Sequence, residues 1–126
     1  MGSVIDVDAQ NWEREVLQSN TVVVVEFWHE QCVWCKRLEP IYREVAEQYK
    51  GKLKFARLNV LANHDNRHLA IHYGVLGTPT LMFFCEGRPI GAAVGFHPKD
   101  KLTQLVEDVL LNHQECVKRS TRLEDL

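Results

Sequence analysis

Two cysteines three positions apart, Cys32 and Cys35, stand where one kind of secondary structure gives way to another, and that junction constrains the chain more than any other feature. The segment leading to them, Thr21–Phe27 (T-V-V-V-V-E-F), is rich in β-branched residues and apolar on both faces until Glu26, the mark of a central strand covered on each side. From Val33 to Tyr49, apolar residues at Leu38, Ile41, Tyr42, Val45, Ala46 and Tyr49 keep the helical period. A strand therefore delivers the chain to a pair of thiols, and the thiols open a helix. In the first turn of a helix the unpaired backbone N–H groups and the positive end of the dipole favour a thiolate over a thiol. The thiolate is the nucleophile of disulfide exchange, so this placement makes a reactive sulfur.

The rest of the chain alternates strand and helix around that junction. Val4–Asp6 reads as a short edge strand, and Asp8 caps a helix over Ala9–Leu17 with Ala9, Trp12 and Val16 near one face. Pro40 interrupts the helix after the cysteines and should kink it. Leu53–Val60 reads as a buried strand, and Asn63–Tyr73 as a helix with Leu69, Ala70 and Tyr73 inward, closed by Gly74. Leu81–Cys85 and Ile90–Val94 form an antiparallel hairpin across Glu86–Pro89. Pro98 opens a last helix with Leu102, Leu105, Val106, Val109 and Leu110 at amphipathic spacing. The order β-α-β-α-β-α-β-β-α gives an α/β sandwich, a mixed sheet flanked by helices. We read residues 1–112 as one domain and 113–126 as a polar C-terminal extension or tail.

The segment V-V-V-V-E-F-W-x-x-x-C-x-x-C-K, with L-E-P shortly after it and G-T-P-T at Gly77–Thr80, resembles the thioredoxin family. The likeness covers Ile5–Leu111 and keeps the family's order of parts. It implies the thioredoxin fold, with a central mixed β-sheet of four to five strands and helices on both faces. It also implies a thiol-disulfide oxidoreductase that reduces protein disulfides, with no bound cofactor because the dithiol of Cys32 and Cys35 is itself the redox-active centre. The expected partners are protein disulfide substrates and an electron donor, either a reductase or a small thiol, and the expected state is a monomer.

Composition narrows the alternatives. A formal charge of −2 argues against broad attraction to nucleic acid or anionic lipid. The longest apolar stretches, Val22–Val25 and Leu81–Cys85, are too short to cross a bilayer, and the N-terminus lacks a basic region followed by a long apolar one, so the expected location is cytoplasmic. A zinc site needs four ligands, and no second C-x-x-C or Cys/His pair completes one with Cys32 and Cys35, so no metal is expected there.

Each site residue carries an expected role. Cys32 attacks the substrate disulfide and Cys35, deeper in the turn, resolves the mixed disulfide. Glu26 sits in a central strand among Val24, Val25 and Phe27, where ionisation is costly; its pKa should be raised, and it can exchange a proton with Cys35. In the resembling family this position is a buried acid, commonly Asp, and the longer Glu is more like the domains of protein disulfide isomerase. Arg57 is its expected charge partner, and Lys36 and Arg57 tune the site. The resemblance implies a cis peptide at Thr78-Pro79 that presents the Thr78 backbone to an extended substrate, with Gly95 on the same surface and Trp28 retained beside it. Val33-Trp34 replace the usual pair between the cysteines. Trp34 offers an apolar landing site, and without a histidine there the reactive sulfur is expected to be less acidic and the dithiol more reducing.

Cys85, ending an apolar strand, reads as a buried inert thiol, and Cys116 as an exposed thiol of the tail. His29 and Glu30 read as loop side chains, and His64, His68 and His72 as a solvated helix face. Two other functions fit the same residues. One is a protein disulfide oxidase or isomerase, favoured by Glu26. The other is a binding module in which the fold is an interaction surface and the dithiol is incidental.

Overall fold

A computed structural model of the chain describes residues 3–114 and 116. Five strands form one sheet: β1 (Val4–Val7), β2 (Val23–Trp28), β3 (Lys54–Asn59), β4 (Thr80–Cys85) and β5 (Arg88–Val94), in the order β1-β3-β2-β4-β5. Three α-helices flank it: α1 (Val33–Gln48), α2 (His64–His72) and α3 (Lys99–Asn112). β3 runs parallel to β1 and β2, whereas β4 is antiparallel to both of its neighbours. The sheet is therefore mixed, and β2 lies at its centre.

Alternation along the strands sorts their side chains into two cores. Val22, Val24, Phe55, Leu81 and Phe83 pack under Leu38, Tyr42 and Val45 of α1 and Leu102 and Val106 of α3. Val23, Val25, Phe27, Leu58 and Phe84 pack on the other face with Trp12, Val16 and Ala70. Both faces of β2 are covered, which is why its sequence reads as continuous apolar residues. Glu26 falls on the α1 face by the same alternation.

Most expected elements stand within a residue or two of their sequence reading. α1 continues through Pro40. Asn63 caps α2, its side chain accepting from the Asn66 N–H, and Gly74 comes just after the helix at φ +76°. The hairpin turns on two residues, Glu86 and Gly87, both at positive φ.

The first helix differs. Asp8 Oδ1 accepts from the N–H groups of Gln10 and Asn11, both at 2.9 Å, closing a turn where a helix was expected to start. The chain then makes a single π-helical turn, Glu13–Leu17, in which the Gln18 N–H reaches back to the Glu13 carbonyl at 2.8 Å. Burial of Trp12 against Phe27, Tyr73 and Phe84 outweighs the regular helical ladder here.

Cys116 also differs. Expected as an exposed tail thiol, it is buried in the α1/α3 core and bonded to Cys85, so Cys85 is buried but not inert. Cys116 comes four residues after the end of α3 and packs in the same core as Leu102 and Val106 of that helix. The rest of the expected C-terminal extension lies outside the described residues.

Candidate active site

Strand direction decides where the site assembles. The C-terminal end of β2 and the N-terminal end of β4 meet, because Phe27 pairs with Thr80. Thr80 in turn pairs with Val94, the last residue of β5. The loops bearing Trp28–Cys32, Thr78-Pro79 and Gly95 therefore emerge at one edge of the sheet, and α1 starts there.

Cys32 is the N-cap of α1, with extended backbone (φ −89°, ψ 109°). Its sulfur accepts a hydrogen bond from the Cys35 N–H at 3.1 Å, satisfying a donor that the helix start otherwise leaves open. The two sulfurs are bonded as a disulfide, with Cα atoms 5.2 Å apart. Cys32 retains 8% of its surface and Cys35 only 1%, so an incoming sulfur meets Cys32 first. Val33 and Trp34 between them are exposed, because the first turn of α1 projects past the sheet edge. Lys36 is exposed one residue further on.

Beneath this turn lies a buried ion pair. Glu26 on β2 and Arg57 on β3 are register partners, and Arg57 Nε donates to Glu26 Oε1 at 3.1 Å. The second oxygen, Oε2, has no hydrogen-bond partner among the described residues. Burial pushes the Glu26 carboxyl up to about 7; the Arg57 guanidinium, by charge and by its hydrogen bond, and the more distant Arg43 oppose that rise, while Glu39 adds to it. Arg57 also lies over the Trp28 ring, 4.0 Å from its centroid, and reaches Glu39 of α1 at 3.5 Å. Trp28 is thereby held half-buried at the end of β2.

The opposite rim carries the segment before β4. The Thr78-Pro79 peptide is cis, and the Pro79 carbonyl accepts from the Gly95 N–H at 2.8 Å. Gly95 sits at φ +94°, a conformation that an L side chain rarely adopts, with nothing within 4 Å of an added Cβ. Thr78 is partly exposed and, with His29, Leu61 and Leu76, lines a groove beside the dithiol loop. His29 Nδ1 accepts from the Gln31 N–H within that loop. His64, His68 and His72 are exposed along α2.

Two residues the sequence reading passed over complete the site. Phe96, just after Gly95, packs on the Trp34 ring at 5.5 Å between centroids, while the Arg37 guanidinium lies 5.0 Å from the same ring. Glu39 is the other, and its signal was available: it lies four residues after Cys35, on the same helix face. Phe96 had no such signal, since only the fold brings it to α1.

The arrangement places one sulfur, 8% exposed, at a helix N-terminus, a second and more deeply buried one in the same first turn, and a buried acid on the neighbouring strand, with exposed apolar side chains at Val33 and Trp34. Among the described residues no helix is long and apolar enough to cross a membrane. The thioredoxin family model matches residues 3–108. Thioredoxin 1 of Nostoc sp. is 36% identical over 107 residues, covering 85% of this chain and 97% of the relative. The thioredoxin of Pseudomonas aeruginosa is 36% identical, covering 82% of this chain and 94% of its own. That of Synechocystis sp. is 34% identical, covering 87% of this chain and 100% of its own.

Proposed function

The chain belongs to the thioredoxin family and is a thiol-disulfide oxidoreductase that reduces protein disulfides, and from that premise we propose how its residues divide the work. Cys32, as the thiolate, attacks one sulfur of a substrate disulfide. A mixed disulfide forms, and the other substrate sulfur leaves as a thiolate that takes a proton from solvent. Cys35 then loses its proton, attacks the Cys32 sulfur and releases the second substrate thiol, leaving Cys32 and Cys35 joined. Two electrons pass to the substrate, and an electron donor, a reductase or a small thiol, restores the dithiol. The couple is the chain's own, so turnover needs no bound cofactor.

The observation that carries this reading is the hydrogen bond from the Cys35 N–H to the Cys32 sulfur at the head of α1. A donor aimed at a sulfur at the positive end of a helix stabilises the charged form over the neutral one. Glu26 takes the proton of Cys35 during resolution, because a carboxyl near neutrality accepts and returns a proton with little driving force lost either way. Arg57 sets the charge around it, and Lys36, next to Cys35 in the chain, tunes the dithiol. Thr78 offers backbone groups to an extended substrate segment, Pro79 and Gly95 shape that surface, and Trp28 and Trp34 supply its apolar walls. We place the protein in the cytoplasm, as a monomer, where a reducing donor keeps the dithiol available. The test is insulin reduction by dithiothreitol: wild type accelerates precipitation of the freed chains, whereas Cys35→Ser traps substrate as a mixed disulfide. Equal acceleration by both would overturn the division of roles.

A further inference from the structure

We infer that Cys85 and Cys116 are a second redox site, a disulfide that opens and closes independently of Cys32–Cys35 and fastens the end of the last helix to the sheet. Their Cα atoms lie 6.3 Å apart, within the span a disulfide bridges, and both side chains are buried. The pair joins the last residue of β4 to the chain just beyond α3, across a separation of 31 residues. Cys85 comes directly after Phe84, which pairs with Val23 at the start of β2, whereas Cys32 lies beyond Trp28 at that strand's far end. At about 3.3 Å per residue, the length of β2 sets the two pairs roughly 15–20 Å apart. Exchange requires contact between sulfurs, so the two pairs cannot trade electrons within one molecule.

The second pair therefore answers to an external thiol-disulfide couple. A cleft edged by Arg88, Ile90, Leu111 and His113 is lined by Cys85 and Cys116 themselves, and it is the side from which a small thiol or disulfide would approach the pair. In the oxidising direction, the thiolate of one cysteine of the pair attacks a small disulfide such as oxidised glutathione and displaces one thiol. The other cysteine attacks the resulting mixed disulfide and displaces the second. The two protons lost by the cysteines end on the two released thiols, and two electrons pass to the small disulfide. Two small thiols reverse the sequence. Closing the bond ties down a loop that contains β5 and α3, removing freedom from the unfolded chain while leaving the dithiol end of the sheet untouched.

A metal is the competing use of these atoms, since ligand atoms of Cys85, Glu86 and Cys116 lie within 4.8 Å of one another. That group has three members, one short of a closed zinc site. The bond between the two sulfurs leaves neither as a thiolate ligand.

The test uses the full chain, equilibrated in glutathione buffers of stepped oxidation, quenched by alkylation and mapped by peptide mass. The expected result is an intramolecular Cys85–Cys116 peptide that appears in its own transition, separate from that of Cys32–Cys35. In a Cys32→Ser/Cys35→Ser background, oxidation should raise the thermal midpoint by about 10 °C, the scale set by loop closure and domain size. Adding Cys116→Ser should abolish that rise, and Cys116→Ser alone should reduce insulin within about twofold of wild type. If Cys116→Ser does not fold, the peptide map and the oxidised-against-reduced midpoint of the double variant still decide. The inference is overturned if Cys85 and Cys116 stay open to alkylation once Cys32–Cys35 is fully oxidised. Bonding of either to another chain, or stoichiometric zinc protecting both in the reduced protein, would overturn it equally.

Discussion

Glu26 and Arg57 face each other on neighbouring parallel strands, and only one of the two carboxylate oxygens is held: Oε1 accepts from Arg57 Nε at 3.1 Å while Oε2 has no partner among the described residues. A fully paired carboxylate would be acidic, and a fully desolvated one would stay protonated. Half-pairing leaves this group between those limits, at about 7.

Stability should therefore depend on pH with a definite sign. The Glu26 carboxyl is raised from 4.5 to about 7, so between those values the folded chain holds a proton that the unfolded chain has lost. Stability contributed by this group is full below pH 4.5 and falls as pH rises through 7. Glu26→Gln removes that slope. Urea unfolding of both proteins from pH 5 to pH 8 checks it, and parallel pH profiles would count against it.

The same substitution should slow resolution of the mixed disulfide. A glutamine cannot take the proton of Cys35, and positioned acid-base groups are typically worth about a hundredfold or more. Stopped-flow release of substrate from the mixed disulfide near pH 7 measures the step. An unchanged rate removes Glu26 from the mechanism.

Arg57→Ala should destabilise the fold by about 3–5 kcal/mol, because it leaves a buried carboxyl without its cation and uncovers the Trp28 ring. Glu26 responds by holding its proton to higher pH. Arg57→Lys restores the charge but not the stacked guanidinium plane, and recovers only part of the loss. Chemical denaturation of the three proteins at one pH gives the comparison.

Pro79→Ala and Trp34→Ala should both weaken capture of protein substrates while sparing the sulfur. Pro79 shapes the rim opposite Cys32, and Trp34 stands 51% exposed on Phe96, far more than a core ring would be. KM for a protein disulfide should rise, while the rate of Cys32 alkylation by iodoacetamide stays within about twofold. Equal losses in both measurements would count against a substrate-binding role.

Much of this architecture was legible in the order of residues alone. Covered strands announce themselves as continuous apolar runs, and β2 did so through Val22–Val25; α1 and α3 showed their apolar stripes, and Asn63 and Gly74 marked the ends of α2. Cys32 and Cys35 were legible because a helix start is a local event. The illegible parts depend on contacts between distant segments. The turn at Glu13–Leu17 results from Trp12 meeting Phe84 and Tyr73. Phe96 reaches Trp34 only because β5 ends where α1 begins, and Cys116 reaches Cys85 only because α3 packs against the sheet. The approach of Glu39 to Arg57 was within reach of the helical period, and Glu39 stands inside the L-E-P segment, but nothing local to that segment points to Arg57 on β3.

The ionisation of Cys32 in the reduced protein tests the central claim most directly. Thiolate absorbance near 240 nm, followed across pH in wild type and in Cys35→Ser, reads it. A sulfur that accepts the Cys35 N–H at a helix N-terminus should ionise well below the free-cysteine value of about 8.5. A value at or above about 8.5 would show that the helix start does not activate this sulfur and would contradict the account.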